Sequence, residues 1–156
     1  MRLAVFALLI TAAGLTFDVA ARAETGDPAM HSSANTRQVI SMPPAMRAHM
    51  LGNMRTHLVA LGEIQAALAA GKYDRAADVA ETQIGLSSLE AHNASHLAPY
   101  MPKPMQELGM DMHRTASRFA RTAQEAAVDN DLPKALQALA GLTQKCAACH
   151  AAYGLQ

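Results

Sequence analysis

Residues 131–153 read DLPKALQALAGLTQKCAACHAAY. Leu132, Leu136, Leu139, Thr143, Cys146, His150 and Tyr153 recur at steps of three and four, the period of one helix face. Asp131 is a residue type that caps a helix start, and Pro133 falls in the first turn, where a missing amide costs no intrahelical bond. A helix is therefore predicted, and its apolar face ends in two thiols and an imidazole.

Those last residues, Cys146-Ala147-Ala148-Cys149-His150, spell C-x-x-C-H, the attachment sequence of a c-type haem. Two thiols add across the two porphyrin vinyl groups, and the adjacent imidazole takes the proximal position on iron. Cys146 and Cys149 are the only cysteines of the 156 residues, so a four-thiolate zinc site has no further ligands to draw on. A thioredoxin-like C-x-x-C would follow a strand within a βαβ unit, and that pattern is not visible here. One covalently bound haem c is the expected cofactor.

The N-terminus fits that chemistry. Arg2 precedes an apolar run over residues 3–10, and Ala21-Arg22-Ala23 is an A-x-A cleavage site, so residues 1–23 read as a signal peptide and the protein as periplasmic. The apolar stretch is broken by Gly14, Thr16 and Asp18 and falls short of a membrane span, and no other stretch is long enough. Residues 24–42 mix Gly, Pro, Ser, Asn and Thr without a period and read as a mobile leader.

Helical spacing begins after it. Ser41 is the expected cap of a first helix entered through Pro43 and Pro44, with Met46, Met50, Met54 or His57, Leu61, Ile64 and Leu68 inward and Gly71 at its end. A second helix is predicted over 74–93, with Ala77, Ala80, Ile84, Ser87 and Ala91 inward. Pro99, Pro102 and Pro104 mark a rigid loop over 97–104. A third helix carries Met105, Leu108, Met112, Thr115, Phe119, Thr122 and Ala126 and stops at Asp129-Asn130. With no strand-like alternation, the expected fold is all-α: an antiparallel up-down-up-down four-helix bundle over residues 43–156, with the haem at one end.

Of 13 basic and 13 acidic residues, the signal peptide removes two arginines and one aspartate, which leaves a net charge of −1. That balance carries no basic excess for nucleic acid. No acid–base pair or nucleophile constellation is evident, so an enzyme is not expected.

A bundle of this length with C-x-x-C-H near its C-terminal end resembles class II cytochrome c, the cytochrome c-prime family, and its low-spin members in particular. The resemblance covers residues 41–153. It implies thioether bonds at Cys146 and Cys149, His150 as proximal ligand, and a first-helix residue on the opposite face. That residue is methionine in low-spin members and apolar in gas-binding ones, and Met50 stands in its register. Arg47 is followed by Ala48, where members often carry an Arg-Gln pair, and no basic residues follow the motif.

The bundle also puts the start of helix one beside the end of helix four, at the level of Met46, Met50 and Met54. His57 lies about 10 Å further along the axis. Methionines at this spacing also serve as core filler, so Met54, Met46 or an open iron stay as alternatives to Met50. Arg47 is placed to reach a haem propionate. His92 and His96, four apart, with Met101 and Met105, gather soft and imidazole donors that would suit copper.

The expected function is monohaem electron transfer between periplasmic redox donor and acceptor proteins, with a homodimer left open. The alternatives are binding of nitric oxide or carbon monoxide at an open iron, and copper handling.

Overall fold

The computed structural model describes residues 36–156, so the expected signal peptide and most of the leader lie outside the described residues. The elements are β1 (Gln38–Ile40), α1 (Pro44–Ala69), α2 (Tyr73–Gln83), a short α3 (Ala94–Leu97), α4 (Lys103–Asp129), α5 (Leu132–Ala152) and β2 (Tyr153–Leu155). Single 3₁₀ turns lie at Leu86–Ser88 and Ala98–Tyr100. The fold is all-α apart from the two short strands.

Local chemistry sets most helix ends. α1 begins after Pro43, with Pro44 in its first turn and no side-chain cap; Ser41 does not cap it, because Pro43 occupies the cap position and, preceding another proline, is held extended at ψ 144. At the other end Gly71 has φ +67, and the amides of Gly71 and Lys72 return to the carbonyls of Leu68 and Ala67. This paired return satisfies carbonyls that the helix leaves open, and glycine adopts the left-handed angle without a Cβ penalty. Asn130 plays the same part after α4, with φ 53. Asp131 then caps α5 as expected, accepting the Lys134 amide at 3.0 Å.

Two predicted elements differ. α2 stops at Gln83 instead of running to residue 93, because Gly85 folds against Glu81, where a Cβ would lie 2.7 Å from the Glu81 carbonyl oxygen. Ser87 and Ala91, expected inward, are exposed. The predicted proline loop is largely helical: α4 starts at Lys103 with Pro104 in its first turn, and the Gln106 side-chain amide donates to the carbonyls of Ala98 and Met101. Prolines at first-turn positions begin helices as readily as they break them.

α1 packs on α2, α2 on α4, and α4 on α5. The core between them is built from Ile64, Leu68, Ile84, Phe119 and Leu142, with small residues such as Ala76, Ala80, Ala116 and Ala123 where α2 meets α4. Small side chains let those two helices approach closely. On α5 the buried line is Ala135, Leu139 and Leu142, continuing through the half-buried Cys146, Cys149 and Tyr153, while Leu136 and Thr143 face outward. The stripe is thus rotated slightly from the predicted one. Among the described residues, α1 and α5 do not close on each other over any comparable length.

The strands lie outside the sequence expectation. β1 pairs in parallel with β2, Gln38 against Tyr153 and Ile40 against Leu155, and the Gln156 amide donates to the Ile40 carbonyl at 3.1 Å. Ile40 and Met42 are buried, so the expected leader ends before them. Since β1 leads into α1 and β2 follows α5, the entry of α1 is tied to the exit of α5.

Candidate functional site

The last turns of α5 carry the motif. Cys146 and Cys149, three apart, share a helix face. Both thiols are free and half-buried; burial raises their pKa values above the ordinary thiol range, and at Cys149 the neighbouring Cys146 adds to the effect. Cys146 lies within 3.7 Å of the Leu142 carbonyl oxygen, while His150 is exposed at the helix end.

Beside them lies a cavity of about 620 Å³, walled by α1, α4, α5 and the 92–101 segment. That is the size range of a small-molecule or cofactor pocket. It lies between α1 and α5, which make little contact with each other. Cys146, Cys149 and His150 all line it, as do Met50, Met54, Met101, Met105 and Met112. Met50 belongs to a buried apolar cluster with Ile40, Met42, Leu97 and Met105, against which Met46, Met54 and Cys149 pack. Met46 is outside the cavity lining.

Arg47 is exposed and lines the same cavity, with Arg37, Arg55 and Lys145. Lys145 also pairs with Asp111 at 2.8 Å. No Asp or Glu stands among the lining residues, so the charged rim is basic around an apolar interior. Such a wall suits a flat apolar ligand that carries acidic groups at its edge.

Comparisons with protein-family models, curated proteins and solved structures find no match to this chain.

The four residues expected to form a copper-type group do not gather. α2 ends at Gln83, well before His92, so the continuous helix on which His92 and His96 would share a face is broken. His92 is buried, whereas His96 is exposed on α3 and outside the cavity lining. Met101 and Met105 do reach the cavity.

His92 instead meets two histidines from distant parts of the chain. His57 from α1, His92 from the turn before α3 and His113 from α4 are all buried, with ring centroids 4.7, 5.6 and 5.9 Å apart. All three line the cavity. Burial first, then His92 and His113, push the His57 pKa down to about 3. His92 is lowered by burial, His113 and His49; His113 is lowered by burial against opposing hydrogen bonds to Ile84 and Gly85. All three rings are neutral near pH 7. No spacing rule links residues 57, 92 and 113, and helical period alone marks His57 as merely inward-facing.

Proposed function

We propose that this protein is an exported c-type cytochrome of the class II kind: an up-down-up-down four-helix bundle that holds one haem and passes electrons between periplasmic redox proteins. The observation that carries the reading is the shared wall. The two thiols and imidazole of C-x-x-C-H open onto an apolar cavity of about 620 Å³ with a basic rim, and α1 brings Met50 to the same space.

The residues fit the group. Cys146 and Cys149 would hold the porphyrin through two thioethers, and His150 would take the proximal position on iron. The bound haem supplies a one-electron couple. What the chain adds is its surroundings. The methionines and Leu97 give the cavity an apolar wall, and low polarity around an iron centre is one of the levers on its potential. Met50 is held in place by Ile40, Met42, Leu97 and Met105, so a thioether sulfur is available at a fixed position. Arg47, with the other basic side chains of the rim, would balance the propionate charges.

Mass spectrometry of the chain expressed with a cytochrome c maturation system tests this directly. One haem retained after denaturation is expected, and a low-spin absorption spectrum in the oxidised protein. An unmodified mass would overturn the cytochrome reading. A high-spin oxidised spectrum with rapid carbon monoxide binding on reduction would replace electron transfer by gas binding.

A further inference from the structure

We propose that His57, His92 and His113 form an acid-sensitive latch on the cavity: neutral, they hold α1 and α4 against the segment over residues 84–101, and protonated, they release that segment and open the cavity wall. The three rings come from α1, from this segment and from α4, and their centroids lie 4.7, 5.6 and 5.9 Å apart. Rings buried at such distances pack together without penalty only while they carry no charge.

The contacts tie three elements together and leave no place for a further proton. His57 Nε2 lies 3.5 Å from His92 Nδ1, so α1 meets the segment nitrogen to nitrogen, with room for one proton between the two rings. Protonating both would set two N–H groups against each other. Ser88 also lies 3.2 Å from His92 Nδ1, but its hydroxyl donates to the Gly85 carbonyl at 2.7 Å and offers the ring no negative charge. His113 Nδ1 donates to the Ile84 carbonyl, which ties α4 to the start of the segment. His49 Nε2 and Asn53 Nδ2 each lie 3.0 Å from the His92 carbonyl oxygen, so α1 holds the backbone beside the ring as well. His57 Nδ1 is buried without a hydrogen-bond partner among the described residues.

No carboxylate faces the cluster to take up its charge. The titratable groups that act on His57 are His92 and His113, and those on His92 are His113 and His49. The cavity is lined by Arg37 ahead of β1, Arg47 and Arg55 on α1, and Lys145, the two motif thiols and His150 on α5, without an Asp or Glu. Carboxylates on the adjoining elements are engaged elsewhere: Glu81 of α2 accepts from Ser87, and Asp111 of α4 pairs with Lys145 and Arg118. Glu90 of the segment itself is exposed. In the held form the three rings titrate below the ordinary 6.5, and in a released segment they return to it, so the open form binds the protons. The latch is therefore fully held above pH 6.5 and weakens as the pH falls from there toward about 3. One ring that stays neutral when held and titrates normally when released raises the fraction open about 25-fold between pH 7 and pH 5.

Hydrogen exchange of the full chain at pH 7 and pH 5, corrected for the intrinsic dependence of exchange on pH, tests the latch; Glu81 keeps its charge over this range. Residues 84–101 should open at least about 25-fold more at pH 5, while residues 116–126 of α4 and 135–142 of α5 keep their protection. His57→Leu should reduce that response by about the same 25-fold, and His96→Ala, at an exposed ring, should leave it intact. Equal protection of residues 84–101 at the two pH values, loss of protection spread evenly over all helices, or a full response in His57→Leu would each overturn the proposal. If the variant fails to fold, a histidine titration of the wild-type chain by nuclear magnetic resonance decides: any of the three rings charging near pH 6.5 while residues 84–101 stay protected would overturn the latch as well. The latch is built from protein groups alone, so a result against it leaves the cytochrome reading as it stands.

Discussion

Met50 is 7% exposed, and this burial separates it from the half-buried Met46 and Met54 of α1, which pack against the same cluster as Cys149. If its sulfur is the sixth ligand, Met50→Ala should convert a low-spin oxidised spectrum to a high-spin or water-ligated one and lower the reduction potential. Ferrous Met50→Ala should also bind carbon monoxide faster, since no thioether has to leave first. Met54 is only half-buried, so Met54→Ala should keep the spectrum and cost less than the ~2–5 kcal/mol of a fully buried methionine truncation, measured by urea unfolding. At this scale the sequence speaks unevenly. Cys146, Cys149 and His150 are legible because five consecutive residues carry their chemistry. The three histidines are not, because what unites them is the crossing of segments far apart in the chain.

The turn after α2 is the element on which both the fold and the histidine cluster depend. Gly85 has its ideal Cβ position 2.7 Å from the Glu81 backbone oxygen, so Gly85→Ala should destabilise the protein by about 1–3 kcal/mol, seen as a lower urea midpoint at unchanged slope. Glu81 holds the same turn: its carboxylate accepts from the Ser87 amide and hydroxyl. Burial opposes its charge, but hydrogen bonds from Ser117 and Ser87, with Arg121 nearby, outweigh that and lower its pKa below 4.5. The folded state thus binds this proton less readily than the unfolded chain. Stability from Glu81 is present above pH 4.5 and is lost as the pH falls below it, so Glu81→Gln should flatten the acid limb of a stability–pH curve. The long helices are readable from apolar period and from Gly71, Asn130 and Asp131. The end of α2 is not, because a single glycine inside a helical pattern is also compatible with a continuing helix and only its close approach to Glu81 decides.

Across the whole chain, the parallel pairing of β1 with β2 joins the start of α1 to the end of α5. Three-residue strands give too little alternation to be seen in a sequence, and the pairing joins segments at opposite ends of the described chain. Removing residues 153–156 should lower the melting temperature, expose Ile40 and Met42, and raise hydrogen exchange at residues 38–42, while α2 and α4 keep their protection. The clasp also has a consequence in time. Residues 38–40 are made before every described helix, yet their partner strand is made after all of them, so they must wait, unpaired, through the synthesis of α1 to α5. Until residues 153–155 emerge, the part of the cavity wall that Tyr153, Gly154 and Leu155 supply is missing, so this side of the cavity is the last to be completed.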